Sequence, residues 1–125
     1  MVGIMDLLAV KEVKISDVQI KQIAYQIVKG LEYLHDNGYL HRDVKPANIM
    51  IDRHGTVKLG DYSITTKQRP EMTGNTTTRH YRAPELIYGE RHYGKEIDIW
   101  SLGCTLAELM LHEAIFQGQT DISQL

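Results

Sequence analysis

Cysteine occurs once in the 125 residues, at Cys104, so the sequence can build neither an internal disulfide nor a cysteine-rich zinc site. A lone thiol fits a reducing compartment, and a buried small apolar residue accounts for it better than a reactive nucleophile does. No apolar run approaches the roughly 18 residues of a membrane span. The N-terminus also lacks a basic stretch followed by a continuous apolar one, which removes a secretory signal and points to an intracellular protein with no membrane contact. Nor is there the basic excess that a nucleic-acid surface needs, since 14 Lys and Arg stand against 16 Asp and Glu for a net charge of -2. No nucleic-acid partner is expected. With 42% hydrophobic residues the chain reads as a soluble globular piece rather than a disordered tail. It is one domain or part of one, because a domain of this size hides about two thirds of its unfolded surface.

Against these absences, His41-Arg42-Asp43-Val44-Lys45-Pro46-Ala47-Asn48 gathers a carboxylate, cations and an amide within eight residues. Asp43 can take a proton from a hydroxyl, Lys45 can offset charge on a group in transfer, and Asn48 can coordinate a hard cation through its carbonyl oxygen. Ile49-Met50-Ile51 and Thr56-Val57-Lys58-Leu59 read as two short strands joined through Asp52-Arg53-His54-Gly55, a turn with Gly where positive φ is cheap. Such a hairpin brings Asn48 beside a second carboxylate, Asp61. A carboxylate and an amide oxygen together, with another carboxylate near an acceptor, suit phosphoryl transfer, where positioning and charge stabilisation do most of the work.

The flanking segments read as support. Ser16-Asp17-Val18-Gln19 is a capping box, and Ile20, Ile23, Ala24, Ile27, Val28, Leu31 and Leu34 recur at intervals of three and four until Asn37-Gly38, which predicts one amphipathic helix. Glu96 to Leu111 carries apolar residues on all sides, which predicts a central buried helix. Asp98 near its start fits a cap. Met5 to Val10 fits a helical turn or an extended segment, and Asp6 in it fits a surface carboxylate. Ile64 to His80 is rich in Thr, Gln, Pro, Gly and Asn, which predicts a mobile loop with no element of its own.

The order H-R-D-x-x-x-x-N, then Asp61-Tyr62-Ser63 where D-F-G is expected, then Ala83-Pro84-Glu85, resembles a eukaryotic Ser/Thr protein kinase. The resemblance implies a mainly α fold with a small β-hairpin, the large C-terminal lobe of a kinase, and ATP with Mg2+ as cofactors. It makes Asp43 the base or acceptor-orienting group and Lys45 the cation that steadies transferred charge and marks Ser/Thr acceptors. Asn48 and Asp61 become the metal ligands, and Thr78 the hydroxyl contacting Asp43 and Lys45. His41 would pack inside and hold the loop. Met50, simply core when read alone, would floor the adenine pocket, Asp6 is a weaker candidate for the ribose, and Asp98 would bond the catalytic-loop backbone.

Met72 to Glu85 is similar to the activation segment of the group joining cyclin-dependent and MAP kinases. Thr73 occupies the activating phosphosite, and Arg42 would pair with its phosphate. Asn75 stands where MAP kinases carry a second phosphorylated residue, a Tyr, which favours the cyclin-dependent branch, and Leu86 to Gly94 resembles the same branch. Arg82 matches the Arg that accompanies a preference for Pro after the acceptor. Departures are Thr66 for a basic residue, so that either Lys67 next to it serves or the phosphate pocket is weaker, His80 for Trp, and the Tyr62-Ser63 pair, where Ser restricts a hinge-like backbone.

No G-x-G-x-x-G and no strand Lys with a helix Glu precede the loop, so the chain reads as a truncated catalytic domain over residues 1–125. Glu85 is expected to be buried without its usual Arg, at a cost of about 3 to 5 kcal/mol. The first reading is a fragment of a cyclin-dependent-type Ser/Thr kinase, itself of little activity, whose complete form takes a protein substrate and a cyclin in the nucleus or cytoplasm. The alternative is a non-catalytic, pseudokinase-like interaction module.

Overall fold

The computed structural model describes residues 1–10, 12–74 and 76–125. The N-terminal segment is both extended and helical: β1 (Val2–Gly3) runs directly into α1 (Ile4–Ala9), whose Ile4 and Leu8 are buried. The capping box forms as expected, with the Gln19 amide donating to Ser16 Oγ at 3.2 Å and the Ser16 amide donating to Gln19 Oε1 at 2.9 Å. It opens α2 (Asp17–Asp36), which ends at Asn37 before Gly38 with φ 81°. Ile20, Ile23, Ile27 and Leu31 form its buried stripe, whereas Val28 lies outside it and is exposed, because the inward face is narrower than the spacing suggested.

After α2 come β2 (Tyr39–Leu40), a 3-10 turn over Pro46–Asn48, β3 (Ile49–Ile51) and β4 (Val57–Leu59). The hairpin has the register Ile49↔Leu59 and Ile51↔Val57. Asp52 Oδ1 closes its turn by accepting the amides of His54 and Thr56, and Gly55 takes φ 83°. β1 adds to β3 antiparallel, so the expected hairpin is a three-stranded sheet. Gln26 clamps this sheet to α2, donating from Nε2 to Gly55 O and accepting the Val57 amide, both at 2.9 Å.

The stretch expected to be a loop without elements contains β5 (Thr66–Lys67), paired antiparallel with β2, and a second 3-10 turn over Arg79–Tyr81. Two residues of strand need no apolar run, since the ladder is made by the backbone. Beyond them lie α3 (Pro84–Ile87), α4 (Glu96–Leu111) and α5 (Asp121–Gln124).

Two apolar clusters hold these elements. Ile4, Leu8, Ile20, Ile23, Ile27, Leu31, Val44, Ile49 and Val57 meet Leu102 and Leu109 in one, and Leu40, Met72, Ala83, Leu86 and Tyr93 meet Ile97 in the other. α4 therefore belongs to both. Each fully buried Leu, Ile or Val contributes about 1.5 to 3 kcal/mol. The loop from His41 to Asp43 crosses from one cluster to the other, pinned by Leu40 at one end and Val44 at the other, both essentially inaccessible.

The expectation of burial all round α4 is corrected: Ile99, Met110 and Leu111 are more than half exposed, and Trp100 stacks on Phe116 at 5.8 Å between ring centroids. Among the described residues no other element covers that face. Glu85 is likewise half-buried rather than buried, facing the open groove beside Glu96, Trp100 and Phe116. The full penalty of an unpaired buried carboxylate does not apply to it. No helix of the described residues is long and apolar enough to cross a membrane.

Candidate active site

The backbone of the His41–Asp43 loop is fixed from α4. Asp98, 1% exposed, accepts the His41 amide at Oδ2 and the Arg42 amide at Oδ1, each at 2.9 Å, and His35 Nε2 lies 2.8 Å from Oδ2. Arg42 needs this support because its φ is 73°, a left-handed conformation that costs a non-glycine residue. Thr77 Oγ1 and Thr65 Oγ1 donate to the carbonyls of Arg42 and His41 at 2.7 and 3.2 Å.

His41 is fully buried. Its Nδ1 accepts the Asp43 amide at 3.1 Å, so the ring proton sits on Nε2, which donates to Gly60 O at 2.9 Å. The imidazole thus ties the loop to the residue before Asp61. Both of its nitrogens are engaged in structural bonds.

Three side chains from two distant segments then converge. Thr78 Oγ1 donates to Asp43 Oδ1 at 2.8 Å and accepts from Lys45 Nζ at 2.8 Å, while Lys45 Nζ stands 3.7 Å from Asp43 Oδ2. Asn48 directs Nδ2 into the same carboxylate and its carbonyl, at 3.2 and 2.8 Å. Asp43 is thereby held on both oxygens while keeping partial exposure.

The hairpin register continues past Ile49↔Leu59, and the Gly60 amide donates to Asn48 O at 2.8 Å. Asp61 follows directly, exposed and with φ 53°. Its Oδ1 accepts the Ser63 hydroxyl at 2.7 Å and the Ser63 amide at 3.3 Å. That hydroxyl is the main cause holding the Asp61 carboxyl below its ordinary range, with the amide bond and the charge of Lys45 adding to it. Ser63 has no positive φ, so its side chain causes no backbone strain in this conformation. Tyr62 finds the partner its hydroxyl needs in Leu59 O, at 2.6 Å, and sets its ring edge-on to His41.

Whether a divalent cation suits this place is decided by what the ligand atoms already bind. Both hydrogens of Asn48 Nδ2 go to Asp43, and among the described residues nothing donates to Asn48 Oδ1 or Asp61 Oδ2. One amide oxygen and one ionised carboxylate would suit magnesium, which is ordinarily held by one or two carboxylates rather than by an all-protein cage. Among the described residues no three His, Cys, Asp or Glu converge as a closed metal site would require. Met50 sits half-buried on β3, opposite Gly3 and Lys58, and Asp6 is exposed on α1.

The regulatory candidates meet through a residue that sequence reasoning missed. Arg42 Nη1 donates to Tyr93 Oη at 3.1 Å, and that hydroxyl donates to Thr73 O at 2.6 Å. Arg42 Nε is bonded to Ile64 O at 2.7 Å. Arg82 donates from Nε to Thr77 O at 2.9 Å and from Nη1 to Asp121 Oδ1 at 2.8 Å, with Arg79 on the same carboxylate oxygen at 3.2 Å. Tyr81 donates its hydroxyl to Glu108 at 2.6 Å, and burial with that carboxylate pushes its phenol up. Lys67 is exposed on β5, and Asn75 lies outside the described residues. Asp121, Tyr93 and His35 carried no local signal, since each acts across a gap of 39 or more residues or through one hydroxyl.

The family described as protein kinase domain matches residues 2–125. The chain is 46% identical over 121 residues to the CTD kinase subunit alpha of Saccharomyces cerevisiae, covering 95% of this chain and 23% of that protein. It is also 46% identical over 118 residues to Cyclin-dependent kinase 7 of Caenorhabditis elegans, covering 92% and 36%, and 40% identical over 112 residues to Mitogen-activated protein kinase 12 of Danio rerio, covering 90% and 31%. Among solved structures, a chain of the yeast RNA Pol II CTD kinase CTDK-1 complex superposes with a TM-score of 0.93 at 46% identity, over 97% of this chain and 40% of that one. The chain thus spans well under half the length of the relatives it matches. By its profile match, its identity to cyclin-dependent and MAP kinases and its superposition on a kinase, the chain belongs to the protein kinase domain family.

Proposed function

We propose that residues 1–125 are part of the large lobe of a Ser/Thr protein kinase of the cyclin-dependent type, which phosphorylates protein substrates at Ser or Thr before Pro. The observation that carries the reading is the Thr78 hydroxyl bridging Asp43 and Lys45 at 2.8 Å on each side. A carboxylate held on both oxygens and still reachable is placed to orient an acceptor hydroxyl and take its proton, and the adjacent ammonium offsets charge on the group in transfer. Asn48 Oδ1 and Asp61 would hold magnesium, and Met50 would lie under the adenine. Bound as magnesium–ATP, the cofactor supplies the γ-phosphoryl and neutralises its charge. Thr73 is the phosphorylation switch, Arg42 receives its phosphate, and Arg82 shapes the surface for Pro. A cyclin would serve as activator of the full-length protein, and a site of action in the nucleus or cytoplasm follows from the resemblance.

A second reading, a non-catalytic module, is favoured by one contact: the Ser63 hydroxyl occupies Oδ1, one of the two Asp61 carboxylate oxygens that a metal would use. The deciding experiment is phosphate transfer by the full-length protein to a Ser-Pro peptide with magnesium–ATP. Transfer that is lost in Asp43→Asn supports the kinase, whereas no transfer together with no magnesium-dependent nucleotide binding supports the module.

A further inference from the structure

The surface around Thr73 has a second cation that the sequence reading left unused. The segment Glu90–Tyr93 grips the residues before and at Thr73: the Met72 amide donates to Arg91 O at 2.6 Å, Arg91 Nε donates to Met72 O at 2.9 Å, and Tyr93 Oη donates to Thr73 O at 2.6 Å. Thr73 itself is exposed. Arg91 is about half exposed, its terminal nitrogens have no partner among the described residues, and Glu71 Oε1 stands 3.8 Å from its Nε. Position 66, where a basic residue would complete a phosphate pocket, is Thr, and Lys67 belongs to β5.

We infer that Arg91 is the second arginine of a phosphate-binding site at Thr73, exchanging Glu71 for the phosphate while Arg42 approaches from the other side through Tyr93. The inference rests on the reading of Thr73 as a phosphorylation site. Its physical basis is that a guanidinium tethered by Nε to the neighbouring carbonyl is already ordered, and its remaining donors suit a phosphate fork. A phosphate of charge about -1.5 to -2 outcompetes a single exposed carboxylate at 3.8 Å. Tyr93 relays rather than binds: its hydroxyl keeps Arg42 and the Thr73 backbone in one hydrogen-bonded chain before any phosphate arrives.

The test uses the full-length protein made with phosphothreonine at position 73, titrated by 31P NMR. In Arg91→Gln, which keeps an amide donor for Met72 O but drops the charge, the phosphate's second pKa is expected to rise by about 0.5 unit, the shift of a half-exposed ion pair. Glu71→Gln is expected to lower it, and Arg91→Lys to hold most of the wild-type value. An unchanged phosphate pKa in Arg91→Gln overturns the inference, as does an unchanged value in Glu71→Gln. The switch reading is judged separately, by whether the phosphorylated and unmodified wild-type proteins differ in transfer rate.

Discussion

Asp98 and Arg42, 56 residues apart, meet in a 2.9 Å hydrogen bond from the Arg42 amide to Asp98 Oδ1. The contact holds a left-handed residue next to Asp43, and the other oxygen of the same carboxylate holds His41 and faces His35. Replacing Asp98 by Asn keeps the volume but turns a charge-assisted acceptor of two amides into a group with one acceptor and two competing hydrogens. The loss is expected to be about 3 kcal/mol. Urea unfolding should show the midpoint falling at constant slope. A midpoint unchanged from wild type would show that the loop is held by its other bonds alone.

Thr78 tests whether the bridge between Asp43 and Lys45 is chemical or only architectural. Thr78→Val keeps the shape and removes the hydroxyl, leaving Asp43 Oδ1 and Lys45 Nζ free to swing. On the proposed function, kcat of the full-length protein is expected to fall about a hundredfold, the scale for a catalytic group misplaced by about 1 Å. Thr78→Ser retains the hydroxyl and should retain most of the rate. Wild-type kcat in Thr78→Val would remove the bridge from the mechanism.

Ser63 makes a prediction about charge. Its hydroxyl is the leading cause of the depressed Asp61 pKa, so Ser63→Ala should return the carboxyl toward its ordinary 3.8. Because the folded value lies below the unfolded one, the stabilisation from this contact is present above pH 3.8 and is lost as the pH falls through the folded value. Carboxyl-detected NMR titration reads this directly. The same variant should bind magnesium more tightly with ATP present, since Oδ1 no longer accepts a hydroxyl. A carboxyl pKa that does not move would mean that the backbone amide and Lys45 set it.

Asp121 is expected to act on the substrate surface through Arg82, whose Nη1 it holds at 2.8 Å. Asp121→Asn weakens the grip on Arg82 and Arg79 without touching Asp43. On the proposed function, the expected outcome in the full-length protein is a higher KM for a Ser-Pro peptide with kcat little changed. A fall in kcat at constant KM would place Asp121 in the support of the catalytic loop instead.

What the sequence made legible is local. The capping box at Ser16, the Asp52–Gly55 turn and the His41–Asn48 spacing each act within a few residues, and their geometry follows from propensity and period. Contacts across the chain left no such trace: Gln26 on the hairpin, His35 on Asp98 and Tyr93 on Thr73 are single polar side chains whose partners only the fold supplies. The apolar composition of α4 misled for a related reason. It records what the helix is suited to pack against, whereas the exposure of Ile99, Met110 and Leu111 depends on which elements cover it. β5 was invisible because two residues of ladder carry no hydrophobic period.

Cys104 closes the case for a structural thiol. It is 5% exposed on α4, and burial pushes its pKa from 9.0 up to about 11, with Glu108 adding to the effect. The thiolate is the reacting species, so near pH 8 the native thiol should react with a disulfide reagent about a hundredfold more slowly than in the urea-unfolded chain from ionisation alone, before limited access slows it further. The sign for stability follows from the raised folded value. Below pH 9 the thiol is neutral in both states and adds no pH dependence, and between about pH 9 and 11 the unfolded thiol ionises first, so stability falls as pH rises. Cys104→Ala should flatten that alkaline slope at some cost in packing. Equal labelling rates in the native and unfolded chains would show that α4 opens on the labelling timescale, and the anchor that Asp98 provides for Arg42 would then be intermittent.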